Sequence, residues 1–317
     1  MAVIDQPPTQ APMDVAVVVV AYRNTDDIRR CVAALAASDF PHRTIIVENG
    51  GHEAFAALKA AIGEASSGGN TVRLVEAPGN LGFAGGVNHG IRQAPHAQAY
   101  WVLNPDAVPA PDALGELVAR LEHGECDAVG GVLHFADGCV QSLGGQWQSW
   151  LARAVSIGAG RPVDAEIDVE AVESRLDYLV GASMLVHRRF IETVGLMRED
   201  YFLYAEEIEW FLRGATHGMR LGIASKARVL HYQGTTTGWT NSMKSRPKMP
   251  IYLDQRNRVL LTRDRFPARM PVVAITSLLF MLARFARKRA WRQVGYGVQG
   301  WAAGVTGKRG VPGWVKS

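Results

Sequence analysis

The chain has 317 residues, 48% of them hydrophobic and 20% charged. That suffices for one large α/β domain of roughly 230–260 residues with an appendage, or for two domains. Cys31, Cys126 and Cys139 are too far apart for a CxxC metal site or a disulfide framework, which points to a reducing, cytoplasmic compartment. The net charge of +4 is uneven: from Lys244 onward sixteen Lys and Arg face only Asp254 and Asp264, giving +14 and leaving the body at −10. A basic block on an acidic body suits an anionic surface, nucleic acid or lipid.

Residues 1–13 are Pro/Gln-rich, with no basic stretch ahead of an apolar run, and read as a disordered tail. Val15–Ala21 is a continuous β-branched run, the pattern of a strand buried on both faces. Thr25 or Asp26 caps a helix whose apolar positions are Ile28, Cys31, Val32 and Leu35. Thr44–Glu48 and Val72–Glu76 read as strands flanking a helix at Ala54–Ile62. A glycine-rich turn, Gly79–Gly86, then leads into a helix near Val87–Gln93. Strands are expected at Tyr100–Leu103 and Ala128–Val132, with a helix opened by Pro111-Asp112 between them. This alternation predicts an α/β fold with a mainly parallel sheet and helices on both faces. Ligands of such sheets bind at the carboxyl ends of strands, where Ala21-Tyr22, Glu48, the glycine-rich turn and Asp106 fall.

Beyond Gly144 the pattern loosens. Gln146–Arg175 reads as a long excursion, a possible lid. Leu179–Val186 is a strand, Arg189–Val194 and Glu206–His217 are helices, and Val229–Leu230 is a short strand ending at His231.

Three positions carry chemistry. Asp106 follows a strand and a proline, so its carboxylate either closes an Asx turn or points into a cleft, where it could take Mg²⁺. Glu206-Glu207 opens a helix, where acids complement the dipole. Glu207 sits at the edge of the buried stripe, whereas Glu206 shares a face with Glu209 and Arg213 and is expected to look away. His231, followed by Tyr232-Gln233-Gly234-Thr235-Thr236, suits a structural hydrogen bond or a metal. The glycines at 79, 82, 85 and 86 do not form GxGxxG. They read instead as room for close backbone approach to a ligand, with Asn80 and Asn88 supplying amides.

Seven stretches in order resemble one family. They are Val17–Tyr22, Val47–Gly50, Asn80–Asn88, Leu103–Asp106, Val180–Val186, Tyr201–Glu209 and Val229–His231. Together they resemble the inverting GT-A-fold glycosyltransferases of family 2, in particular the bacterial rhamnosyltransferase-like branch, over about residues 14–240. The resemblance implies a GT-A, Rossmann-like catalytic domain at 14–240 and a basic helical extension at 241–317. It also implies that Tyr22 and Glu48 line a nucleobase and ribose pocket. Ala21, Asn80, Gly82, Asn88 and Asn104 would stand near the nucleotide-sugar. Asp106 and His231 would hold Mg²⁺ or Mn²⁺, and Glu207 would be the catalytic base. The implied donor is dTDP-rhamnose, with UDP- or GDP-hexoses as alternatives, and the acceptor is a glycan or a polyprenyl-diphosphate-linked sugar.

The tail adds a location. Val272–Ala283 is an apolar run of about a dozen residues, short of the roughly 20 a spanning helix needs. Its flanking Arg269, Arg284, Arg287, Lys288, Arg289 and Arg292 fit an interfacial helix on an anionic membrane, peripheral to the inner face, or a dimer helix. Tyr252–Phe266 is expected to close over the site, with Arg256 or Arg258 clamping a diphosphate. The block lacks a nucleic-acid-binding pattern, so no nucleic-acid partner is expected. A nucleotidylyltransferase would need a glycine-rich, arginine-bearing loop after the first strand, where Ala21-Tyr22-Arg23-Asn24 stands.

Overall fold

The computed structural model describes residues 11–63, 66–67, 70–232 and 242–315. Most of the expected N-terminal tail and the stretch from Gln233 to Thr236 lie outside these residues. The strands are β1 (Val15–Ala21), β2 (Arg43–Glu48), β3 (Ser66–Ser67), β4 (Asn70–Glu76), β5 (Ala99–Leu103), β6 (Ala107–Pro109), β7 (Ala128–His134), β8 (Val140–Ser142), β9 (Gly145–Gln148), β10 (Arg153–Ser156), β11 (Ser183–His187) and β12 (Leu221–His231). The helices are α1 (Thr25–Ala36), α2 (His52–Ile62), α3 (Gly82–Arg92), α4 (Ala113–Glu122), α5 (Val169–Glu173), α6 (Arg188–Val194), α7 (Glu206–Ala215), α8 (Lys248–Arg265), α9 (Met270–Arg287) and α10 (Trp291–Val305).

Among the described residues the main sheet runs β3-β4-β2-β1-β5-β11-β7-β12-β6, with β8 beside β7. β4, β2, β1 and β5 are parallel, as are β7 and β12. β11 runs against both β5 and β7. Six of these ten strands therefore run one way, as the alternation of elements predicts, and β3, β6, β8 and β11 run against them.

β1 explains why it is covered on both faces. Its Val15, Val17, Val19 and Ala21 pack with α1 and α4. Its Ala16, Val18 and Val20 pack with α3 and the helices beyond. A strand apolar on both faces cannot sit at a wet surface, and each buried valine contributes about 1.5–3 kcal/mol.

Several boundaries differ from the sequence pattern. The helix expected at Val87–Gln93 starts at Gly82, so the second half of the glycine-rich turn, Gly82–Gly86, is itself helical. A Cβ at Gly86 would lie 2.6 Å from Val20 and one at Gly90 2.4 Å from Val18. These glycines let α3 lie flat on β1 rather than admit a ligand. β12 has 11 residues instead of two, because Ser225, Lys226 and Arg228 hide its pattern around an irregularity between Ile223 and Arg228. The strand expected from Leu179 begins at Ser183. Within the excursion, β9 and β10 form a hairpin, and Ile157 and Val172 join Val132, Val140 and Ile223 in a satellite core.

α8 is buried along most of its length, including Arg256 and Asn257. It is not a solvated arm. α9 packs the stripe Val273, Ser277, Met281 and Phe285 inward. With the preceding 3-10 turn it forms a helix of 21 residues, Pro267–Arg287, long and apolar enough by length and composition to cross a membrane. The dozen residues expected, Val272–Ala283, are its middle, and the flanking turns that carry Arg269, Arg284 and Arg287 make up the rest.

Candidate active site

A cavity of about 410 Å³ opens at the carboxyl ends of β1 and β5 and at the start of α7. Its wall includes Tyr22, Asn80, Gly82, Asn104, Asp106, Glu207 and His231. Seven of the expected positions, spread from residue 22 to 231, thus converge.

The antiparallel pairing of β6 with β12 sets one side. Its register puts His231 opposite Ala107, so Asp106, the residue before β6, lands beside the imidazole. His231 Nε2 lies 3.2 Å from Asp106 Oδ1. It is also 3.3 Å from Asn104 Nδ2. His231 Nδ1 is 2.8 Å from Gln141 Oε1. The glutamine oxygen can accept from Nδ1–H, the tautomer that turns the Nε2 lone pair toward Asp106 and the Asn104 amide. Two buried lone-pair donors at this spacing suit a shared cation, and the Nδ1 contact fixes the ring as an outer-shell partner does. Among the described residues no third His, Cys, Asp or Glu joins them, so a cation there would need water or phosphate oxygens as well. Nothing in the sequence around Gln141 marks it; only the β7–β8 pairing brings it to the site.

The opposite side is the turn Tyr201–Ala205 and the first turn of α7. Phe202, Tyr204 and Ala205 have φ of 68°, 75° and 66°, a conformation that costs about 1–3 kcal/mol per non-glycine residue. α8 holds it. Asn257 Nδ2 donates to the carbonyls of Tyr201, Leu203 and Tyr204 at 3.0, 2.8 and 2.8 Å. Arg256 Nη2 donates to Tyr201 O at 2.8 Å. Phe202 O in turn accepts from Phe83 N at 2.8 Å. Gly82 is required here: a Cβ would sit 2.1 Å from Phe202 O. The expectation that Arg256 clamps a diphosphate is corrected. Its guanidinium is buried and spent on backbone carbonyls, Tyr201 O and Gly310 O.

Glu206 and Glu207 are adjacent at the start of α7. Glu206 does not look away: it is 2% exposed and lines the same cavity. α8 covers the face of α7 expected to be wet, which also buries Glu209 against Arg213 and Arg265. Glu206 Oε2 has no hydrogen-bond partner among the described residues. Burial, then the neighbouring Glu207 charge, raise the Glu206 carboxyl well above its usual range. Burial also raises Glu207, to about 7, against the lowering effect of backbone N–H groups at the helix start. The helix dipole alone would favour the ionised form, but desolvation outweighs it.

Three expected residues stand outside the cavity wall. Glu48 Oε1 accepts from Gly50 N at 2.6 Å and Arg23 N at 3.2 Å, tying together the loops after β1 and β2. Asn88 faces Met197, bonding its N–H and its carbonyl at 3.1 and 2.9 Å, and also donates to Glu199. Ala21 is buried in β1 and accepts from Asn49 N. Asn49 itself lines the cavity and donates to Gly82 O at 2.8 Å; it was quoted in the resemblance without a role. Asn80 closes its own turn by accepting from Gly82 N at 3.1 Å. A larger concavity, about 960 Å³, lies among Arg120, Glu173 and Arg220. It is remote from these strand ends, and Glu173 is already spent on Arg120 and Ile223 N.

The model of the family described as "Glycosyltransferase like family 2" matches residues 11–250. The chain belongs to that family. This family 2 glycosyltransferase is 21% identical over 274 residues to the low-salt glycan biosynthesis hexosyltransferase Agl10 of Haloferax volcanii, covering 85% of this chain and 82% of that one. It is 26% identical over 242 residues to an N-acetylglucosaminyl-diphospho-decaprenol L-rhamnosyltransferase of Mycobacterium tuberculosis, covering 70% and 77%. Among solved structures, the mannosyltransferase PcManGT of Pyrobaculum calidifontis in complex with GDP-Man and Mn²⁺ superposes with a TM-score of 0.55 at 16% identity, covering 96% and 92%. The likeness carries the GT-A fold: a curled α/β sheet with helices on both faces and further helices at the C-terminus.

Proposed function

We propose that this glycosyltransferase moves a hexosyl residue, L-rhamnose from dTDP-rhamnose in the first instance, onto a lipid-linked or glycan acceptor with inversion at the anomeric carbon. The carrying observation is that a buried lone-pair couple, Asp106 with His231, and a carboxylate with a pKa of about 7, Glu207, line one cavity. The family assignment supports sugar transfer, and the printed name of the mycobacterial relative supports a diphosphate-linked lipid acceptor.

Asp106 and His231 would hold Mg²⁺ or Mn²⁺, with Asn104 alongside; such an ion neutralises the charge that develops on a leaving nucleoside diphosphate. Tyr22, Asn49 and Asn80 line the nucleotide end. Glu207 takes the proton of the acceptor hydroxyl as that oxygen bonds to the anomeric carbon and the carbon–diphosphate oxygen bond breaks. Burial and the neighbouring Glu207 charge disfavour the anion at Glu206, which leaves the negative charge of the pair to Glu207. The location proposed is peripheral, at the inner face of the membrane, through the exposed side of α9.

A thermal-shift screen with dTDP, UDP and GDP, each with Mg²⁺, Mn²⁺ or EDTA, tests the donor side. Stabilisation by dTDP above the others, dependent on the metal, is the expected result. A metal-dependent shift with GDP or UDP alone would replace the donor. No shift with any nucleotide would remove the reading.

A further inference from the structure

Four arginines from separate elements gather near the cavity residue Asp254. Arg258 on α8 donates to Asp254 at 2.7 Å, and Asp254 lines the cavity. Arg284 on α9 is an electrostatic neighbour of Asp254, Arg258 and Arg153. Arg246, before α8, neighbours Arg284, Asp254 and the cavity residue Tyr204. Burial and like-charge crowding hold Arg246 and Arg284 below the usual arginine range. Asp254 faces both Arg258 and Arg284, and Arg258 and Arg153 crowd Arg284, a like-charge repulsion that a bound anion would relieve. Arg258 and Glu207 both act on the Tyr178 hydroxyl, which ties this cluster to the catalytic carboxylate.

The cluster also meets an apolar surface. Arg153 stacks on Phe280, its guanidinium carbon 5.6 Å from the ring centroid. On α9, Ile275 is 62% and Leu279 60% exposed. The β9–β10 hairpin brings Trp150 and Leu151, also exposed, to the same face. Thr276 Oγ1 donates to Trp150 O at 3.2 Å, and Arg269 stacks on the Trp150 ring. The order from the cavity outward is carboxylate, arginines, then apolar side chains. That is the order of sugar, diphosphate and chain in a polyprenyl-diphosphate-linked sugar.

We infer that Arg153, Arg246, Arg258 and Arg284 form the binding site for the diphosphate of a polyprenyl-linked acceptor, whose chain lies with the bilayer on Trp150, Leu151, Ile275, Leu279 and Phe280. This rests on the lipid-linked acceptor reading above and adds the site. Bidentate guanidinium–phosphate bonds supply the affinity. The hairpin tip and α9 place the membrane plane so that the hydroxyl of the sugar can reach Glu207.

The test uses the full chain and phosphatidylcholine vesicles, plain or doped with geranylgeranyl diphosphate, in a flotation assay. Doped vesicles are expected to bind about tenfold or more tightly than plain ones. The double variant Arg153→Ala/Arg284→Ala should lose that gain while its melting temperature and its stabilisation by nucleoside diphosphate stay as in the parent. Ile275→Ser/Leu279→Ser should weaken binding to both kinds of vesicle. Equal binding to plain and doped vesicles would overturn the inference, as would an undiminished gain in the arginine variant. So would the same gain from phosphatidylglycerol at equal charge, which would make the face a general anionic-lipid surface. A change from dimer to monomer in the serine variant with vesicle binding intact would assign the face to a second copy instead. Loss of nucleotide stabilisation in the parent chain would sink the glycosyl-transfer reading itself, a separate outcome.

Discussion

Asn257 Nδ2 lies 2.8 Å from the carbonyl oxygen of Tyr204, and through this contact a helix outside the sheet controls the wall of the cavity. Tyr204 and Ala205 are left-handed, and Ala205 is the residue before α7, so the hydrogen bond fixes where Glu206 and Glu207 begin. Asn257→Ala would leave the Leu203 and Tyr204 carbonyls without this donor, while Tyr201 O keeps Arg256 Nη2. Losses of about 1–3 kcal/mol per unsatisfied group, partly relieved by relaxation, add up to an expected destabilisation of about 3 kcal/mol in a urea melt. Transfer should fall more than the melt alone explains. A melt within 1 kcal/mol of the parent, by the same per-group cost, would show that the turn holds itself.

Glu207→Gln keeps the shape of the side chain and removes the base. Transfer should drop by about 10²–10⁴-fold, while nucleoside diphosphate still stabilises the protein. Glu206→Gln should cost far less, since burial and the Glu207 charge already disfavour the anion at that position. Equal losses in both variants would mean the two carboxyls share the proton duty.

The elevated carboxyl of Glu207 also has two pH signatures. As a base it must be ionised, so kcat/KM should rise with pH up to about 7 and then level. For stability the sign is opposite. The folded protein holds the proton to about 7, whereas an unfolded chain releases it near the ordinary glutamate value of 4.5. Between those values the native state binds more protons, so this contribution to stability is full below the lower value and lost as pH rises toward 7. Glu207→Gln should flatten that fall in a series of melts, and an unchanged slope would remove Glu207 as its source.

Gln141 fixes the His231 ring from behind. Gln141→Leu should weaken Mn²⁺-dependent nucleotide binding by about 10–100-fold, the usual cost of losing an outer-shell partner. Asp106→Asn should abolish the metal dependence altogether. If Gln141→Leu leaves the Mn²⁺ titration unchanged, the tautomer is set by something other than this contact.

Deleting the chain from Ala268 onward is no clean removal of an anchor. Arg309 pairs with Asp264 at 2.6 Å, Trp301 donates to Ala274 O at 2.9 Å, and Arg256, which holds the cavity turn, also donates to Gly310 O at 2.6 Å. The truncated protein should aggregate or melt early, and the paired serine substitutions on α9 are the better probe of the surface. A truncated chain that melts like the parent would make the C-terminal helices dispensable to the fold.

Strand and helix starts were legible wherever one physical pattern dominated. β1 reads from its valines because both its faces are dry. α7 reads from its apolar stripe, and its acids at the first turn fall where expected. What could not be read depended on partners far along the chain. Glu206 and Glu209 resemble a wet helix face until α8 is laid over them. Asn88 resembles a ligand amide, but its partners, Met197 and Glu199, lie more than a hundred residues away. Gln141 carries no local signature at all. Glycines 86 and 90 are ambiguous in the sequence, since close approach to a ligand and close packing on a valine strand demand the same residue.

The separation between Asn104 and His231, 127 residues along the chain, has a consequence for synthesis. One half of the putting-together of this site waits for β12, and its roof waits for α8. At about 5–20 residues per second, translation of that intervening stretch takes roughly 6–25 s. A nascent chain therefore displays Tyr22 and Asp106 well before the cavity wall around them is complete. Premature termination upstream of β12 would leave Asp106 without His231.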